Sequence, residues 1–118
     1  MTINLSELGG FLASRHSAAK LRQRILQEIR NGLVELDFSG VQGLSDSFAD
    51  ELFGVLAENY GVGDLFTRLR TINANDAVIQ SITRNIRYRL EHNGKWATPS
   101  DARRDINQAV VARRAAFA

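Results

Sequence analysis

The sequence predicts an α/β fold: a small mixed β-sheet of about four strands packed against helices, with an extra helix at the C-terminus. Three observations predict it. Short apolar runs rich in Leu, Val, Ile and Phe alternate with longer segments whose apolar residues recur every third or fourth position. The longer segments are bounded by capping and stop residues. The chain also has 118 residues and no cysteine, the size of one domain that buries roughly two thirds of its unfolded surface without covalent staples.

Residues 2–5 and 10–13 are expected as short strands, with a turn from Glu7 to Gly10 between them. A helix follows from Ser14 or Ser17 to Arg30. Leu21, Ile25 and Ile29 form its apolar stripe, flanked by Ala18 and Leu26, and Asn31-Gly32 is its stop. Leu33 to Phe38 is expected as a strand. Only Glu35 interrupts its early apolar run, which points to a central strand covered on both faces. Asp37 comes near its end, and Gly40 and Gly43 bracket Val41 in a tight connection to the next helix.

That second helix is expected over Asp46 to Asn59. Phe48, Leu52, Val55 and Leu56 line its buried face, Phe53 joins the core, and Asp50, Glu51 and Glu58 face away. Tyr60 to Gly63 ends it, Asp64 to Thr67 is expected as a loop, and Arg68 to Asn73 as another strand. Asn75 caps a third helix on which Val78, Ile82, Ile86 and Leu90 recur at steps of four. Asn93-Gly94 breaks that pattern, and Thr98-Pro99-Ser100-Asp101 opens a fourth helix with Ile106, Ala109 and Val110 as a thin apolar face. The expected division is therefore an α/β domain over 1–92 and a linker with a helical extension over 93–118. So narrow an apolar face suggests packing on a second copy, and hence a homodimer.

The calculated pI of 9.5 overstates the basic character of the domain. Residues 1–90 carry ten basic and ten acidic side chains, so the net charge of +2 falls in 91–118, with five against three. A nucleic-acid binder concentrates more positive charge on one face. The absence of cysteine fits a reducing compartment. No apolar run reaches the roughly 20 residues that span a bilayer, and the N-terminus lacks a signal-peptide pattern. These features lead to the expectation of a cytoplasmic protein.

The richest candidate site is the segment from Asp37 to Glu51. An apolar strand ends in a carboxylate, a glycine-bearing turn follows, and a helix opens on Ser45-Asp46-Ser47. Open α/β sheets place binding sites beside such helix starts. Ser45 and Ser47 fit helix caps, Ser47-x-x-Asp50 matching the capping pattern. Asp37, Ser39 and Gly40 fit turn-structuring roles, with Asp37 accepting backbone N–H groups. Ser45, Asp46, Ser47, Asp50 and Glu51 are the candidate partner-binding residues. Arg15 is expected to form a structural ion pair with Asp37 or Asp50. His16 and His92 lack ligand spacing, so no metal site and no cofactor are expected. No nucleophile and base stand at a recognisable spacing, so no catalytic residue is assigned. The alternative function is a nucleic-acid-associated transcriptional regulator using Arg84, Arg87 and Tyr88, which share a helical face, together with the basic tail.

Several of these residues carry a family resemblance: Ser14-Arg15 with Ala18, Leu36-Asp37-Phe38-Ser39-Gly40-Val41, Ser47-Phe48-Ala49-Asp50-Glu51-Leu52, and Ile72-Asn73-Ala74-Asn75. Over roughly residues 1–90 the chain resembles the STAS-like domains of unknown function, which are related to STAS domains and anti-sigma factor antagonists. The resemblance implies a small mixed sheet backed by helices and a non-enzymatic regulatory module that switches partners. It implies a protein partner of the kinase-like ATPase or regulator class, docking on the helix that opens at residue 46. It also implies a phosphoacceptor at the start of that helix, with Ser47 and Ser45 as candidates. The chain departs from the antagonist pattern there: the aligned acceptor position holds Asp46, a carboxylate that imitates the modified state, and the following glycine is replaced by Phe48.

Overall fold

The structure is a computed structural model and describes residues 1–92. The expected C-terminal helix, and any dimer built on it, lie outside the described residues. Strand β1 (Thr2–Asn4) leads through a 3-10 turn (Leu5–Leu8) to β2 (Phe11–Leu12) and helix α1 (Arg15–Glu28), which tightens into a 3-10 turn (Ile29–Asn31). Strands β3 (Val34–Asp37) and β4 (Gly43–Leu44) precede α2, residues 46–60, whose middle (Asp50–Gly54) is π-helical. Then come α3 (Val62–Arg68), β5 (Leu69–Ile72) and α4 (Asp76–His92).

The strands form two parallel sheets rather than one mixed sheet: β1-β3-β5, and β2-β4. The expected turn between β1 and β2 is not a hairpin, because β1 pairs with β3 and β2 with β4. A helix carries the chain back between the strands of each of these pairs, and such crossovers impose parallel pairing. β3 is central, as expected, with Glu35 registered between Thr2 and Arg70. It is covered on one face only. Val34 and Leu36 are buried with Ile3, Leu69 and Thr71, while Glu35 and Asp37 stay half-exposed. On that open face Thr2 Oγ1 donates to Glu35 Oε1 at 3.1 Å and Arg70 Nη1 lies 3.6 Å from Glu35 Oε2.

The helices follow their apolar spacing. Ala18, Leu21, Ile25 and Ile29 of the α1 region are buried, and Ser14 is its cap, accepting the Ser17 N–H at 3.2 Å. Gly32 ends this region at φ 135°, a conformation that side-chain-bearing residues avoid. In α4, Val78, Ile82, Ile86 and Leu90 are buried. Asn75 caps it, accepting the Val78 N–H at 2.8 Å while donating to the Gln42 carbonyl at 3.0 Å. The segment expected as a loop at 64–67 is part of α3, a short helix that buries Val62, Leu65 and Phe66. Phe38, Phe48 and Phe53 are the largest fully buried side chains among the described residues, and the Phe38 and Phe53 rings stack with centroids 6.3 Å apart.

Candidate functional site

The carboxyl ends of the parallel strands carry two separate polar clusters. The first closes β3. Asp37 Oδ1 accepts the Ser39 N–H at 2.9 Å and Asn73 Nδ2 at 3.1 Å. These bonds, from the Ser39 backbone first, then the Ser39 side chain and Asn73, hold the Asp37 carboxyl below its ordinary range. Asn73 has φ 59°, a left-handed conformation that asparagine tolerates better than most residues. Gly40, at φ 80°, lies in the turn closed by the Val41 N–H on the Phe38 carbonyl at 3.0 Å. Asp37, Ser39 and Gly40 thus have the turn-structuring geometry that the sequence suggests.

The second cluster surrounds the start of α2. The expected direct passage from β3 into the helix is interrupted by β4, which pairs with β2. Gly10 and Leu12 carbonyls receive the Gln42 and Ser45 N–H groups at 2.7 and 2.8 Å, so the residues before α2 are tied to a strand. Ser45 is the cap. Its Oγ accepts the Phe48 N–H at 3.0 Å and donates to the Ala13 carbonyl at 2.9 Å. Ser47, matched to the capping pattern in the sequence, instead lies inside the first turn of the helix.

Asp46 projects from this turn with its side chain 68% exposed. Asp46 Oδ1 accepts Asn85 Nδ2 at 2.9 Å and Arg84 Nη2 at 2.8 Å. Asn85 foremost, then Arg84, lowers the Asp46 pKa. Asp50 is bound by Arg89 at 2.9 and 3.0 Å and by Arg15 at 3.1 Å. Its pKa is lowered chiefly by the Arg89 hydrogen bond, against an opposing effect of burial, and Asp50 raises that of Arg89 in return. Glu51 pairs with Arg22 at 2.7 Å, and Arg22 also donates to the Glu51 carbonyl. Asp50 and Glu51, expected to face away, are therefore half-buried struts joining α2 to α1 and α4.

A hollow of about 280 Å³ opens beside this tip. Asp46, Ser47 and Asp50 form one wall; Arg15 from α1 and Arg84, Asn85 and Tyr88 from α4 form the rest. Tyr88 is 59% exposed and stacks on His92 with ring centroids 3.8 Å apart. Four of the five candidate partner-binding residues therefore meet around one helix start, with Glu51 turned to Arg22. Of the two candidate phosphoacceptors, Ser47 lines the hollow while Ser45 is engaged as a cap. The ion pair expected for Arg15 is made with Asp50. Arg84 and Tyr88, singled out with Arg87 for the nucleic-acid alternative, join this site, and Arg87 does not line it. Asn85 and Arg89 were not singled out from the sequence. Their only signal is a polar residue at the edge of an apolar helical stripe.

Among the described residues no group of three or more His, Asp or Glu is placed to hold a metal, and no helix is long and apolar enough to cross a membrane. No curated protein and no solved structure gives a match to the chain. The comparison with family models matches residues 17–78, from α1 into α4, to the family described as STAS-like domain of unknown function (DUF4325). That match spans just over half of the 118 residues and includes the Asp37 cluster and the start of α2, while Arg15 and the α4 residues 84–89 of the second cluster lie outside it; the chain belongs to this STAS-like family.

Proposed function

We propose that the chain is a non-enzymatic regulatory module that docks a protein partner on the start of α2. The carrying observation is that an exposed acidic tip is held by hydrogen bonds from two neighbouring side chains. Asp46 is open to solvent yet fixed by Arg84 and Asn85, and Ser45 uses its hydroxyl as both donor and acceptor to anchor the turn beneath it. A partner loses little conformational freedom on meeting a surface that is already ordered. The neighbouring Arg15, Arg84 and Tyr88 are of the residue types that dominate interface energetics. A kinase-like ATPase or another regulator is the partner class that the STAS-like relationship suggests, with Ser47 as the accessible hydroxyl of the surface.

The test is photo-crosslinking in the native host from position 47, with the exposed position 30 as control, followed by affinity measurements on the captured partner. Asp46→Lys and Tyr88→Ala are each expected to weaken binding by about tenfold or more. Unchanged affinity across substitutions at 46, 47, 84 and 88 removes this surface from the interface.

A further inference from the structure

A second hollow, of about 360 Å³, lies between the first half of α1 and the 3-10 turn Leu5–Leu8. Its volume falls at the lower end of the range for small-molecule sites. The floor is apolar and buried: Ile3, Leu5 and Leu21. Leu8 stands at the wall, 49% exposed.

The opposite wall is cationic. Ser17, Lys20 and Arg24 recur at i, i+3 and i+7 on the face of α1 turned away from Arg15 and Arg22. Arg15, Arg22, Arg68, Arg70, Arg84 and Arg89 all have carboxylate partners. Lys20 and Arg24 have none among the described residues. Glu7, also on the rim, is likewise outside every ion pair there. The asparagine beside it, Asn4, is already committed, its Oδ1 accepting the Ser6 N–H and hydroxyl at 3.1 and 2.7 Å. Two cations against one carboxylate leave a single surplus positive charge over an apolar floor.

We propose that this hollow binds a small amphipathic monocarboxylate, with its head between Lys20 and Arg24 and a short apolar body against Leu8 and the floor. A monoanion matches the surplus charge, and charge-assisted hydrogen bonds from both cations orient it. The site is independent of the α2 tip and stands or falls apart from the docking reading.

The test is an NMR titration of the full chain with octanoate below its micellar concentration, with 1-octanol and inorganic phosphate as comparison probes. Saturable shifts confined to residues 3–8 and 17–24 are expected for octanoate. K20Q/R24Q is expected to weaken octanoate by about tenfold while leaving 1-octanol unchanged, and L8N to weaken both. The amide spectrum reports in the same experiment that each variant is folded. The proposal is overturned if octanoate does not saturate or if its shifts centre on Phe11, Leu33 or Tyr88. Equal affinity for K20Q/R24Q and the parent chain, or saturation of these residues by phosphate but not by octanoate, overturns it too.

Discussion

Replacing Gly54 by alanine tests the packing of α2 against α4. Gly54 has φ −62° and ψ −46°, ordinary helical values, so the backbone accepts alanine and gains up to about 1 kcal/mol of helix propensity. Space decides the outcome. A Cβ at this position would stand 2.7 Å from Asp50 Oδ1 and 3.2 Å from both Cδ and Nε of Arg89. The Asp50–Arg89 pair that must move is mostly sheltered, with side chains 16% and 24% exposed. Overpacking of this kind costs about 1–3 kcal/mol, and losing part of a charge-assisted pair adds to it. A net destabilisation of about 1–2 kcal/mol follows, which lowers the melting temperature by roughly 4–16 °C for a domain of this size. Thermal and urea unfolding of Gly54→Ala, Arg89→Ala and the double variant give a mutant cycle. In the Arg89→Ala background the added methyl is expected to be close to neutral, because the obstructing chain is gone and Asp50 can rotate. A single variant as stable as the parent, or equal costs with and without Arg89, refutes the reasoning.

Acid should destabilise the domain. Asp37, Asp46 and Asp50 all have lowered folded-state pKa values, so their contribution is present above about pH 4, the unfolded carboxylate value, and is lost as pH falls through the folded values. Urea unfolding in steps from neutral pH to about pH 3 should show this loss, and Asp50→Asn should reduce its slope. Ser45→Ala should cost about 1–2 kcal/mol by removing the cap and the bond to Ala13, whereas Ser47→Ala should stay within about 0.5 kcal/mol. The reverse order in denaturant unfolding would show that Ser47 is the cap.

Local pattern made much of the fold legible. The four-residue steps of Val78, Ile82, Ile86 and Leu90 locate α4, and the apolar run before Asp37 locates the central strand. Features fixed by distant pairing were hidden. β4 has two residues, one a glycine lying under the Phe11 ring, and only its partner β2 makes it a strand. Nothing within 33–38 tells which neighbours it takes, although the alternation of Val34, Leu36 and Phe38 with Glu35 and Asp37 does mark a strand covered on one face. α3 is too short for a period to declare itself. At the site, Ser45 and Ser47 both satisfy a capping pattern, and the choice between them rests on the Ala13 carbonyl, remote in sequence. The partners of Asp50 and Glu51 are equally remote, so two carboxylates that look solvated are struts. The π-helical segment leaves no mark in the spacing of Phe48, Leu52 and Leu56.

The register of the strands has a consequence for how the chain acquires its structure. Thr2 pairs with Glu35, Phe11 with Gly43 and Val34 with Leu69, so among the described residues no strand finds its neighbour within a hairpin. Loop closure must precede every ladder, and contacts of this separation slow folding. Nascent α1 and α4, whose contacts are local, are then the natural early structures. The sheet condenses only once both crossovers have brought its strands together. Until β3 is available, β1 has no ladder partner among the described strands, so from the synthesis of residue 4 until at least that of residue 37 this strand is open to capture by another chain.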